Sequence, residues 1–362
     1  MQTGLPLKNP QPDAARAVAF LMGRGALERP PLVEYIVDEA VMRPVIEGMG
    51  RAWVSPSGGP GALEAYLANF AEFYYRMGYS LVKFEQSLAF PSHHLLAADT
   101  APSAGRARAW NDQHRGMIAS WDDLERYPWP KVEDFDFSAF EILNRCLPEG
   151  MGLMLSHAGG PYEVLSALMS YEGLCLAIYD DFALVQAVAD QIGQRMLHFY
   201  EYLLTFDRVA AVFPGDDMGF RSGTLISPAH LRALTLPWHR RFAALAHARG
   251  VPYFLHSCGS IFALMGDLID EVGIDGKHSY EDVILPVEEF QARWGGQIAV
   301  LGGLDVHILA AGTPDDVRRR TRQLIEICAP RGRYAVGSGN SIPSYIPVEN
   351  YLAMVAEANG LP

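Results

Sequence analysis

Residues 253–279 read YFLHSCGSIFALMGDLIDEVGIDGKHS. An apolar run ends in His256, Ser257, Cys258 and Gly259. Ser260 then caps a helical pattern, SIFALMGDLIDEVG, and Gly273 leads into a second short run, GIDGKHS, which again ends in polar residues. One strand, one helix and one strand therefore occupy fewer than thirty residues, the economy of a βαβ unit. The same rhythm recurs in LVKFEQS (81–87), GLMLSHAG (152–159), AAVFPGDD (210–217), IAVLGGLD (298–305) and YAVGSGN (334–340). Near-continuous apolar runs describe strands buried on both faces, which is the signature of parallel sheet.

The segments between the runs carry helix signals. Ser227-Pro228 opens PAHLRALTLPWHRRFAALAHARG and Gly250 closes it. Thr313 with Asp316 forms a capping-box pattern, and Pro347 with Glu349 opens a last helix that Gly360 ends. Seven strand-then-helix units predict an α/β fold, a (β/α)8 TIM barrel over residues 81–362, with the eighth strand unassigned. PLVEYIVDEAVMRPVIEGMG and PGALEAYLANFAEFYYRMGY have helical spacing, so residues 1–80 are expected as a helical extension packed on the barrel. WNDQHRGMIAS (110–120) reads as a hairpin turning at His114–Gly116. A doubly wound open sheet is the rival, but no GxGxxG follows the first strand.

The chain has 362 residues with 29 basic and 42 acidic side chains, a net charge of −13. So acidic a surface repels phosphate backbones and excludes nucleic acid as a natural partner. No run of about 18 uncharged apolar residues occurs, so no membrane span is expected. Four cysteines, with no CxxC pair, do not make a disulfide framework and point to a reducing, cytoplasmic setting.

In a barrel, functional side chains collect at the C-terminal ends of strands. Here those ends offer Glu85, His157, Asp216, Asp217, His256, Cys258, His278, Asp305, Ser338 and Asn340. Residues i and i+2 of a strand share a side, so His256 and Cys258 aim together, which suits two zinc ligands as well as a buried His beside an inert Cys. Asp216-Asp217 offers one carboxylate for a ligand and another for a helix cap. His278 reads equally as ligand, acid–base group or core histidine. Gly160 and Tyr162 lie in SHAGGPYEVL, where free backbone N–H groups would hold an anion or simply form a turn. Gly303 would let a ligand approach the backbone or make a tight turn.

YPWP (127–130), HAGGPYEVL (157–165), GDDMGFRSGTLISP (215–228), FLHSCGSI (254–261), LGGLDVHILAAGTPDDV (301–317) and GSGNSIPSYIPVENYLAM (337–354) together resemble the uroporphyrinogen decarboxylase superfamily. The closer likeness is to its branch of zinc-dependent methyltransferases acting with corrinoid proteins. The resemblance implies a (β/α)8 barrel, a site at its C-terminal mouth, and a homodimer. It also implies zinc held by an HxC pair, here His256 and Cys258, and by a later cysteine where this chain has Ser338. A serine hydroxyl is a poor zinc ligand, so another residue must substitute; His278 is the first candidate and Asp217 the second. The arginine-rich MRQAGRY-like segment of true decarboxylases has no counterpart here, and Asn340 stands where they carry histidine.

Three readings follow. The first is a metal-dependent methyltransferase acting between a corrinoid, borne by a partner protein, or a small methylated compound and a thiol or other soft acceptor. In it His256, Cys258 and His278 are ligands and Asp217 orients substrate. Glu85, Asp217 and His278 form the catalytic set, and His157, Gly160, Tyr162, Asp216, Gly303, Asp305, Ser338 and Asn340 contact a small-molecule substrate. The second is a metal-free decarboxylase in which Asp217 stabilises a cationic intermediate and His278 delivers a proton. The third is a barrel that binds a tetrapyrrole or corrinoid without turnover.

Overall fold

The structure is a computed structural model that describes residues 4–98 and 107–361. Its strands, in chain order, are β1 (Leu81–Gln86), β2 (His94–Ala98), β3 (Ala107–Asn111), β4 (Gly152–His157), β5 (Val209–Val212), β6 (Gly219–Phe220), β7 (Gly223–Thr224), β8 (Phe254–His256), β9 (Gly276–His278), β10 (Ala299–Leu301) and β11 (Tyr334–Ala335). β1, β4 and β5 pair in parallel, as do β8, β9, β10 and β11. Parallel bridges from Val212 to Tyr253 and from Gly215 to His256 join the two sets. The result is the expected TIM barrel. β2–β3 and β6–β7 are antiparallel hairpins, each inserted after the C-terminal end of a barrel strand.

The eighth place is taken by residues 32–37. Leu32 bridges in parallel to Val336, and Val37 to Ile342. This corrects the expectation that residues 1–80 are a helical extension packed outside the barrel. Within PLVEYIVDEAVMRPVIEGMG the helix starts only at Glu39, capped by the Asp38 carboxylate. Ahead of it, LVEYIV alternates in the period of a strand, with β-branched and aromatic residues that favour one. Val33 and Tyr35 turn into the barrel interior, where they pack with Leu81, Met154, Ala211, Phe213, Phe254, Ala299, Leu301 and Ala335. Helix Ala14–Leu21 brings Ala17, Phe20 and Leu21 to the same cluster.

Two further expectations change. The segment after Ser260 is a 3₁₀ turn, Phe262–Leu264, followed by a π-helical stretch, Asp267–Val272, rather than a regular α-helix. WNDQHRGMIAS is no hairpin. Asn111 ends β3, the Asp112 carboxylate folds the chain by accepting from the N–H groups of His114 and Arg115, and Met117 and Ile118 then donate to the Leu168 carbonyl. The Thr313–Asp316 capping box and the Ser227 cap form as expected. No described helix is long and apolar enough to cross a membrane.

Glu34 points out of the barrel, opposite to Val33 and Tyr35, and is 1% exposed. It clasps the last strand unit: its carboxylate accepts from the Ser338 backbone N–H at 2.7 Å and the Ser338 hydroxyl at 2.6 Å. Burial raises its pKa to about 8, against an ordinary 4.5. The folded state thus holds a proton that the unfolded state has released between those values. Stability contributed by this group is full below pH 4.5, falls as pH rises toward 8, and is level above. Wild type should therefore lose stability relative to Glu34→Gln across that interval, by at most about 1.4 kcal/mol per pH unit. Denaturant melts at several pH values check this, and parallel stability profiles would contradict it.

Candidate metal centre and substrate cavity

Strand parity sorts the polar residues of the mouth. In the β5 unit, residues 211, 213 and 215 face inward, so Asp217 continues to the inside while Asp216 turns to the helices. In β8 and β9, His256 and His278 stand opposite each other in register and both point inward. His278 Nε2 lies 3.2 Å from the Ser338 carbonyl oxygen, and its Nδ1 lies 2.7 Å from Nδ1 of His256. A carbonyl only accepts, so His278 carries its proton on Nε2 and offers an acceptor at Nδ1. His256 must then donate from Nδ1, and its Nε2 is left with a lone pair. That lone pair sits 3.3 Å from Cys258 Sγ and 3.5 Å from Asp217 Oδ1. Burial keeps both rings neutral: it lowers the pKa of His278 to about 3 and that of His256 well below its ordinary value. Tyr35 stacks on the His256 ring with centroids 4.0 Å apart, fixing its plane.

Asp217, His256 and Cys258 offer a carboxylate oxygen, an imidazole nitrogen and a sulfur within 4.8 Å of one another. These are the donor types zinc takes. Cys258 is held in place by its backbone N–H, which donates to Asp217 Oδ1 at 2.9 Å. Its sulfur accepts from the Asn340 amide at 3.2 Å and the Ser279 hydroxyl at 3.5 Å. Two donors aimed at a sulfur suit a thiolate. Yet burial, reinforced by the Asp217 carboxylate, pushes the thiol up to about 12. A cation at this point would reverse that balance, because metal binding deprotonates a coordinating thiol. The residues present therefore fit a zinc ion.

His278 does not join this group, since both its ring nitrogens are engaged; it orients His256 instead, as the outer partner of a ligating histidine does. Asp217, the second candidate, belongs to the group of three donors. Asn340 reaches the sulfur. Ser338 contributes its carbonyl to His278 and its hydroxyl to Glu34, and is fully buried. Glu85 lies farther along the wall, joined to the site through Tyr35, whose hydroxyl donates to it at 3.0 Å.

Other expected contacts prove structural. His157 faces the helices, donating from Nδ1 to the Gly159 carbonyl and accepting at Nε2 from Leu88 N–H. Asp216 is fully buried and caps helix Pro161–Met169 through Tyr162 and Glu163 N–H groups, with His239 at 2.8 Å. Gly160 is glycine because a Cβ there would lie 2.2 Å from that of Asp216. Gly303 has φ +121, and a Cβ would strike Val287. Asp305 caps helix Val306–Ala311 and accepts from Asp282 N–H.

Four residues escaped the sequence reading. Tyr35 and Glu34 lie in the strand misread as helix. Lys83 is buried beside the Glu85 carboxylate, with the Ser156 hydroxyl at 2.9 Å. Glu163 lines a cavity of about 550 Å³ that Asp217 opens onto, together with Asn111 at the end of β3, Gln113, Tyr162, and Phe220, Ser222 and Thr224 of the β6–β7 hairpin. Nitrogen-15 NMR of the histidine side chains should find the proton of His278 on Nε2 and that of His256 on Nδ1. The opposite tautomer at His256 would contradict the chain of donors.

Comparison with known proteins agrees with this layout. The family described as uroporphyrinogen decarboxylase (URO-D) matches residues 114–361. Among solved structures, a methyltransferase from Methanosarcina mazei superposes with a TM-score of 0.71 at 17% identity, covering 97% of this chain and 99% of that one. At that identity the likeness shows the fold. A putative vitamin-B12 independent methionine synthase from Listeria monocytogenes reaches a TM-score of 0.47 at 10% identity, covering 92% and 97% of the two chains. Comparison with curated protein sequences gives no match. The family match spans more than half of the sequence, and the barrel carries its site at the mouth: the chain belongs to the uroporphyrinogen decarboxylase family.

Proposed function

We propose that this chain is a zinc-dependent methyltransferase that moves a methyl group between a corrinoid, or a small methylated compound, and a thiol or other soft acceptor. The observation that carries the reading is the convergence of Asp217, His256 and Cys258, with the His256 lone pair turned toward the other two donors. Zinc held there supplies a positive charge that keeps a thiol acceptor ionised near neutral pH.

The chain's own residues do the rest. Ser338 and His278 set the tautomer of His256, and Tyr35 sets its plane. Asn340 and Ser279 hold the Cys258 sulfur, and the Cys258 N–H holds Asp217. The cavity beside Asp217 positions the small molecule. A corrinoid-bearing partner would approach the open mouth, and the reading includes a homodimeric, cytoplasmic enzyme. The decarboxylase alternative has less support, because both nitrogens of His278 are hydrogen-bonded within the protein.

Protein purified without chelator should contain stoichiometric zinc and demethylate methylcobalamin in the presence of a thiol. His256→Ala and Cys258→Ala should abolish both. His278→Ala should keep zinc with roughly 10–100-fold weaker affinity, the usual cost of removing an outer partner. Metal analysis and loss of the methylcobalamin absorbance check this. Activity in protein free of zinc, or unchanged zinc affinity in Asp217→Asn, would contradict it.

A further inference from the structure

The carboxylates of the mouth differ in how their charge is met. Asp216 has His239 and two backbone N–H groups. Glu85 has Lys83. Asp217 faces the metal position and, from behind, the buried ammonium of Lys277, which hydrogen-bonds to the carbonyls of His278 and Ser279. Glu163 receives the Gly160 N–H at 3.2 Å and forms no ion pair among the described residues, and burial together with the Asp217 and Asp216 charges raises its pKa to about 8. A cation standing beside such a group favours its charged form and is attracted by it.

The cavity that Glu163 and Asp217 share is built for such a charge. No lysine, arginine or histidine lines it among the described residues. Arg221, in the turn between Phe220 and Ser222, is exposed. Tyr162, Tyr171 and Phe220 supply aromatic faces, and the Tyr162 hydroxyl is buried without a well-formed hydrogen bond. Aromatic faces beside carboxylates recognise alkylated onium groups, whose charge is diffuse and poorly hydrated.

We propose that this cavity receives a small organic cation, an onium centre such as a methylated ammonium or sulfonium group, and rejects anions of the same size. The proposal rests on the methyltransferase reading only in taking the cavity as the substrate's.

Three probes of one shape separate charge from volume: choline, its uncharged isostere with tert-butyl in place of trimethylammonium, and the corresponding tert-butyl carboxylate. Calorimetric titration of the full-length protein, zinc-loaded and chelator-treated, should find choline bound roughly tenfold tighter than the isostere, and the carboxylate weakest. Glu163→Gln should narrow the gap between choline and the isostere several-fold while leaving the isostere unchanged. Phe220→Leu, at an exposed position that folding tolerates, should weaken choline several-fold and the isostere little. Equal binding of choline and isostere, preference for the carboxylate, or no binding of any probe would overturn the proposal. Choline preference in protein that transfers no methyl group would leave the cation site standing and remove the methyltransferase reading. An active enzyme without the preference would do the reverse.

Discussion

A backbone carbonyl governs the site. Because the Ser338 oxygen can only accept, it fixes the proton of His278 on Nε2, and that fixes the proton of His256 on Nδ1. The lone pair that results on His256 Nε2 is turned toward Asp217 and Cys258. The geometry in turn depends on barrel closure. Ser338 is held by Glu34 from the eighth strand, and the same strand places Tyr35 against the His256 ring. One short segment near the N-terminus therefore closes the sheet and aims the histidine pair.

Charge in this interior is arranged in pairs of opposite direction. Lys83 faces inward beside Glu85, while Lys277 faces outward under the site, among carbonyls and over the Tyr280 ring. Burial lowers the pKa of both lysines. Lys83 is thus matched by a carboxylate inside the barrel, while Lys277 is held by carbonyls outside it.

Much of this was legible in the sequence. The repeated apolar runs gave the barrel, and the common position of polar residues at their ends pointed to Asp217, His256, Cys258 and Asn340. Alternation, carried past the end of each strand, separates Asp217 from Asp216 and places His157 outside; the one-residue offset is plain in AAVFPGDD and GLMLSH once the inward residues are known. The eighth strand was missed because LVEYIV runs without a break into a true helix, and helical spacing in the second half masked strand alternation in the first. His278 was read as a ligand because it stands on the strand beside His256. What no spacing reveals is that the Ser338 carbonyl, sixty residues away, already occupies its other nitrogen.

The central claim is that one sulfur and one carboxylate, Cys258 and Asp217, would hold zinc beside His256. X-ray absorption at the zinc edge of the purified protein reads that directly. The account predicts one sulfur at about 2.3 Å and nitrogen or oxygen donors at about 2.0–2.2 Å, with Cys258→Ala leaving a shell of nitrogen and oxygen alone. Two sulfur scatterers in the wild-type spectrum, or zinc with none, would contradict it.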